Sequence, residues 1–252
     1  MSQPFYVSPE QIMKDRADFA RKGISRGRSV VVVSCAAGIA LVAENASSSL
    51  HKIGEIYDRI AFAAVGKYNE FESLRQAGVR YADVRGYSYD RRDVTARGLA
   101  SVYAQSLGAV FTAEQKPFEV ELAVAEVGEG QEDDHIFRLT FDGSITDERS
   151  FVAMGGHTEQ MAEVLRAGWT AGQDLGETLR LATAALRAAR QPGEAGQAAA
   201  EPERPSAAAG GTVEDGVGLE VALLEREPSR WRSKRRAFRR LSRSTLKALL
   251  EG

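Results

Sequence analysis

Ser29-Val-Val-Val-Val-Ser-Cys35, Ala36-Ala37-Gly38 and Ile39-Ala-Leu-Val-Ala-Glu44 run on as one passage, SVVVVSCAAGIALVAE, and its reading decides the fold. Four consecutive valines favour extended backbone, because a β-branched side chain loses χ1 freedom in a helix and packs well on a pleated surface. Ala36-Ala37-Gly38 reads as a turn, so residues 29–44 predict two antiparallel strands joined as a hairpin. Upstream, Ser8-Pro9-Glu10-Gln11 reads as a helix start. Ser8 is placed to accept the amide of Gln11, the Gln11 side chain to reach back, and Pro9 suits the first helical position. The helix is expected to run to about Lys22. Ile12, Met13, Ala17, Ala20 and Ile24, with Phe19 beside them, form a stripe at helical spacing that requires a packing partner.

Downstream, two short strands are predicted at Lys52–Tyr57 and Arg59–Val65. Two long helices are predicted at 67–84 and 90–111. Strands return at Phe118–Val127 and Ile136–Phe141, the latter followed by an Asp142-Gly143 turn into Ile145. Two further helices are predicted at 157–171 and 174–189, then a strong strand at Val217–Leu224. Strands and helices therefore come in groups, which predicts an α+β fold: two stacked antiparallel sheets with helices over both outer faces. Residues 191–216 hold seven alanines, five glycines and three prolines and no aromatic residue, the composition of a flexible surface loop. Between Arg226 and Lys247 there are ten Lys or Arg against one Glu, and Leu246, Leu249 and Leu250 close a short amphipathic helix.

Composition bounds the chemistry. The 252 residues suit one large domain, with 43% hydrophobic and 27% charged residues. No apolar run approaches the ~20 residues of a spanning helix, and the N-terminus lacks a signal-peptide pattern. A cytoplasmic protein without membrane contact is expected. Cys35 is the single cysteine, which excludes an internal disulfide, and the net charge of −2 argues against a general polyanion binder. The basic end, with Arg235, Arg236, Arg239, Arg240 and Arg243 around Trp231 and Phe238, has the composition of a nucleic-acid contact, yet a solvated or subunit-facing edge is the expectation. Glu132-Asp133-Asp134-His135 is the one local cluster of metal-ligand types. Its spacing matches no calcium loop, so it reads as a polar hairpin tip. His51 and His157 read as structural or exposed, and Cys35 as a buried inert thiol. Gly155-Gly156 lacks the Lys and Ser/Thr of a phosphate loop and reads as a turn. Neither cofactor nor metal is expected. Ser29 keeps one catalytic alternative open: cleavage after Arg28 would free its amine as the base of a self-processing amidohydrolase.

Residues from Ser8-Pro9-Glu10-Gln11 through Lys22-Gly23-Ile24 resemble the N-terminal helix of actinobacterial 20S proteasome α subunits. The resemblance extends over Val42-Ala43-Glu44-Asn45, Lys52-Ile53, Tyr57-Asp58-Arg59, Gly66-Lys67-Tyr68-Asn69-Glu70-Phe71, Arg85-Gly86-Tyr87, Tyr89-Asp90-Arg91-Arg92-Asp93-Val94, Lys116-Pro117 and Met154-Gly155-Gly156. It implies the four-layer αββα sandwich of N-terminal-nucleophile hydrolases. In the catalytic β subunits of that family a processed Thr opens the first strand, assisted by an acidic residue and a Lys. Arg28 falls at the Thr position, Glu44 at the acidic one and Lys52 at the Lys, so the resemblance implies a non-catalytic branch. It further implies a homo-heptameric α ring on β rings, with Ile12, Phe19 and Arg21 at ring and β-ring contacts. Gln3, Pro4, Phe5, Tyr6 and Val7 would close the axial pore. Lys52 would pair with the C-terminal carboxylate of a hexameric AAA ATPase or other activator that delivers unfolded, often pupylated, proteins.

Overall fold

The computed structural model describes residues 8–47, 49–190, 211–212, 218–228 and 236–251. The gate residues Gln3, Pro4, Phe5, Tyr6 and Val7, Trp231, Arg235 and all of the 191–216 loop except 211–212 lie outside them. In chain order the elements are α1 (Pro9–Ser25), β1 (Val30–Cys35), β2 (Gly38–Glu44), β3 (Ile53–Tyr57), β4 (Ile60–Gly66), α2 (Tyr68–Ser88), α3 (Ala96–Ala113), β5 (Val120–Glu126), β6 (His135–Leu139), β7 (Ile145–Glu148), β8 (Phe151–Met154), α4 (Thr158–Gly168), α5 (Leu175–Ala188), β9 (Gly211–Thr212), β10 (Gly218–Glu225), β11 (Phe238–Arg240) and α6 (Arg243–Glu251).

The hairpin forms in the expected place, with Val33 opposite Ala40 and Cys35 opposite Gly38. Gly38 has φ +137°, and a Cβ there would lie 1.9 Å from the Leu224 carbonyl, so the turn demands glycine. The hairpin is the centre of the first sheet, ordered β11-β10-β2-β1-β8, with β9 also on β10. The second sheet is ordered β3-β4-β5-β6-β7, and every described pairing in both is antiparallel. Together they form the proteasome-type α+β sandwich.

The valine run is explained by burial on both faces. Val30 and Val32 enter the core between the sheets with Ile39 and Leu41, whereas Val31 and Val33 meet α4 and α5 through Met161, Leu165, Leu179 and Leu186. A strand covered on both faces has no reason to alternate in polarity. The second sheet puts Ala61, Ala63, Ala123 and Ala125 into the shared core and Phe62, Leu122 and Val124 under α2 and α3.

Two helix boundaries differ from the sequence expectation, and two short strands were not anticipated. The helix expected over 67–84 continues to Ser88, and the one expected from 90 starts at Ala96. Between them Asp90 caps a short 3-10 turn by accepting the Arg92 amide, and Thr95 accepts the amide of Gly98 to open α3. β8 pairs with β1 although its four residues carry no distinctive pattern. β11 adds Phe238–Arg240 to β10 within the arginine-rich end.

Candidate functional site

α1 delivers the chain to the head of β1. Ser8 accepts the Gln11 amide at 3.2 Å, as expected, but the Gln11 side chain turns to Asp15 at 2.6 Å instead of reaching back. Ala20 and Ile24 are buried in the core, and the Arg16 Nη1 donates to the carbonyls of Phe111 at 2.8 Å and Thr112 at 3.1 Å. The helix is thus fastened to α3 and to the sandwich. Its stripe is only half used by this chain: Ile12 remains 40% and Phe19 49% exposed. The Arg21 side chain is exposed beside Asp18, with its guanidinium 5.8 Å from the Phe141 ring centre.

Beyond α1 the fold brings Arg28, Glu44 and Lys52 to one place. The Lys52 Nζ donates to the Arg28 carbonyl at 2.5 Å, while the Glu44 amide donates to the Ser29 carbonyl at 3.1 Å. Glu44 is engaged by Arg190, whose Nε donates to it at 2.7 Å. Burial, and next the nearby charge of Arg28, lower the pKa of Lys52 to about 8, against a smaller opposing pull from Glu44 and Glu220.

Glu220 on β10 is the residue that sequence reading missed. It accepts the Lys52 amide at 2.9 Å, the Ile53 amide at 3.3 Å and the Asn45 Nδ2 at 2.8 Å. It is also paired with His51 at 3.3 Å and with Arg240, whose Nη2 donates to the Ile53 carbonyl at 2.5 Å. A carboxylate of the first sheet therefore fixes the start of β3 in the second. No local motif announces it, since Glu220 and Lys52 are 168 positions apart.

The other candidates separate. Ser29 is buried and in peptide linkage behind α1, and its hydroxyl lies 3.4 Å from the Gly156 carbonyl. Cys35 is buried, and burial raises its pKa. His157 stands at the head of α4 with φ 55°. Among the described residues no group of three or more His, Cys, Asp or Glu side chains is arranged to hold a metal. The expected polar tip at 132–135 is corrected at Asp134, which is 0% exposed. Arg226 bonds it with Nη1 at 2.8 Å and Nη2 at 2.9 Å, and it also accepts from the Ser34 hydroxyl at 2.6 Å and the Gly128 amide at 2.9 Å. Among the described residues of the arginine-rich end, Arg236 pairs with Glu55, Arg239 with Glu225 and Arg240 with Glu220. Such neutralised arginines offer little to a phosphate backbone.

Comparison with known proteins agrees with this geometry. The family model described as "Proteasome subunit" matches residues 24–199. "Proteasome subunit alpha" of Renibacterium salmoninarum is 66% identical over 251 residues, covering 99% of this chain and 96% of that protein. The protein of the same description from Arthrobacter sp. (strain FB24) is 66% identical over 250 residues, at 99% and 98% coverage. That of Kineococcus radiotolerans is 62% identical over 255 residues, at 100% and 99% coverage. With an arginine at the head of β1, a fastened helix before it and this likeness along its whole length, the chain belongs to the proteasome subunit family, in the α-type branch of the core particle.

Proposed function

We propose that this chain is a non-catalytic α-ring subunit that controls substrate access to the proteasome core and docks an activator at Lys52. The observation that carries the reading is the contact of Lys52 with the Arg28 carbonyl, 2.5 Å, directly behind α1. The lysine is retained beside the first strand, but the residue there has no hydroxyl and its nitrogen is committed to a peptide bond. An N-terminal nucleophile requires both a hydroxyl or thiol and a free amine.

The unburied part of the α1 stripe supports ring assembly. Ile12 and Phe19 present apolar surface beyond what this chain covers, with Arg21 beside them, in keeping with contacts to neighbouring α subunits and to the β ring. In the proposed particle, seven copies form the ring and residues 1–7 meet on its axis. A hexameric AAA ATPase, or another activator, inserts its C-terminus near Lys52 and delivers unfolded proteins, pupylated ones among them, in the cytoplasm. Among the described residues no helix is long and apolar enough to cross a membrane.

The test is co-expression with the β partner. Intact mass should show residues 1–28 retained, deletion of residues 2–7 should raise peptide hydrolysis, and Lys52→Ala should reduce activator-stimulated turnover without dissolving the particle. A chain beginning at Ser29 would instead identify a self-processing amidohydrolase. Undiminished stimulation of Lys52→Ala would remove the docking role, and unchanged hydrolysis after the deletion would remove the gate.

A further inference from the structure

The second half of α1 rests on the segment that joins α3 to β5. A Cβ at Gly23 would lie 2.1 Å from the Glu119 Oε2, so the helix approaches that carboxylate as closely as its backbone allows. One turn earlier the Phe19 ring centre lies 5.8 Å from the Lys116 ammonium, and Arg16 holds the carbonyls that end α3. Lys67, Glu119, Lys116 and Glu70 form a chain of alternating charge beneath the helix: the Lys116 Nζ meets Glu70 at 2.6 Å and Glu119 at 3.0 Å, and Lys67 lies 3.4 Å from Glu119. Glu70 also accepts the Glu119 amide at 2.7 Å, which ties the start of α2 to the same segment. Burial works against the charge on Lys116, but Glu70 and Glu119 outweigh it and raise its pKa above the ordinary lysine value. Residues 9–15 differ: they are exposed throughout, and their side-chain hydrogen bond, Gln11 to Asp15, stays within the helix.

We propose that Lys67, Glu70, Lys116 and Glu119 form an ionic latch that holds α1 down and thereby keeps the gate carried by its first turn in the resting position. The latch rests on the reading of residues 1–7 as that gate. It acts through a lever. A helix rises about 1.5 Å per residue, so a tilt of about 10° about Gly23 moves Pro9 by about 4 Å. The unfastened first turns follow the fastened half as one rod, and contacts made only in the resting position set how often the gate opens.

Two signatures separate the latch from general damage to α1. Partly exposed ion pairs are screened by salt, so opening should increase with ionic strength. Gly23→Ala acts oppositely on helix and latch: the methyl group favours helical backbone, yet it displaces the Glu119 carboxylate from its lysines. A gate that loosens when the helix itself is strengthened points to the contact beneath it.

The experiment uses the assembled particle, without activator, and a blocked tri-leucine coumarin amide as an uncharged substrate. Hydrolysis is compared for the wild type, Lys116→Met, Gly23→Ala, the deletion of residues 2–7, and that deletion combined with Lys116→Met, with assembly checked by size-exclusion chromatography. Lys116→Met and Gly23→Ala should each raise hydrolysis about threefold, the scale of one partly exposed ion pair. Raising salt from about 0.05 M to about 0.5 M should speed the wild type and leave Lys116→Met unchanged. In the deletion, Lys116→Met should add nothing. If the deletion is faster while either single variant assembles and keeps the wild-type rate, the latch is overturned and the gate stands. If the deletion itself keeps the wild-type rate, the gate reading fails and the latch with it. An equal gain from Lys116→Met with and without residues 2–7 overturns the latch, because the effect then bypasses the gate. Should one single variant not assemble, the other decides; loss of assembly by both overturns the latch and makes the network a brace of the ring.

Discussion

Glu220 accepts the main-chain amide of Lys52 at 2.9 Å, so a carboxylate on the tenth strand sets where the lysine side chain begins. The same group accepts the Ile53 amide and the Asn45 side chain and holds Arg240. It ties the two sheets together at the end of the sandwich where α1 hands the chain to β1. The orientation of Lys52 toward Arg28 thus depends on a residue outside the recognisable N-terminal motifs.

Truncating Glu220 to Ala strands two main-chain amides and a guanidinium. A loss of about 2 kcal/mol is expected, toward the lower range for a broken charged network because Arg240 is partly solvated. Glu220→Gln should cost less, since its amide oxygen still accepts. The urea midpoint of the purified chain compares the two, and equal midpoints for Glu220→Ala and the wild type would show the network to be dispensable.

Lys52 should leave a signature in stability against pH. Its folded-state pKa of about 8 lies below the ordinary 10.5. Between these values the unfolded chain binds the extra proton, so stability rises with pH across that window, by about 2 kcal/mol at most after allowing for solvent. Below pH 8 both states are protonated and the cost of burying the charge is present in full. Lys52→Met should flatten the rise in thermal midpoint from pH 8 to 10, and an unchanged slope would rule out the depressed lysine. Activator stimulation of the wild type should decline over the same alkaline range.

Asp134 and Arg226 offer a double-mutant test of a buried pair. Asp134→Ala or Arg226→Met alone should cost about 3 kcal/mol, because each leaves the partner charge or its amide donors without compensation. Changing both should cost less than the sum, with a coupling of about 2 kcal/mol. Strict additivity in chemical denaturation would show that the pair does not act as a unit.

Gly78 and Tyr103 set helix propensity against packing. An alanine in the middle of α2 would ordinarily gain about 1 kcal/mol. At Gly78, however, the new Cβ would lie 1.8 Å from the Tyr103 hydroxyl on α3, so Gly78→Ala should lower stability by about 2 kcal/mol through overpacking. That hydroxyl is buried without a hydrogen-bond partner among the described residues. Tyr103→Phe alone should therefore be neutral or mildly stabilising, and adding it to Gly78→Ala should recover part of the loss. A more stable Gly78→Ala would contradict the close approach.

Much of the fold was legible because its signals are local. The valine run and Gly38 turn marked the central hairpin, and Ser8-Pro9 with a stripe at helical spacing marked α1. The start of α3 was placed too early because Val94, buried like the apolar side of the helix, was read as part of it, whereas Asp90 caps a 3-10 turn and Thr95 caps α3. β8 and β11 were missed because three or four residues are too few to show a period, and β11 lies in a run dominated by arginine. Asp134 looked solvated among acidic neighbours, and its partner is 92 positions away.

The sequence by itself determined the alternating groups of strands and helices, the hairpin that opens the first sheet and the absence of a hydroxyl at position 28. Those follow from side-chain shape, from periods of two and of about 3.6 residues, and from residue identity, none of which requires knowing what lies nearby in space. Only the tertiary structure decided that Lys52 reaches the Arg28 carbonyl and that Glu44 and Glu220 are already claimed by Arg190 and Arg240. Electrostatic partnership depends on distance through space, and stacking two sheets brings together charges that the chain separates by more than a hundred residues.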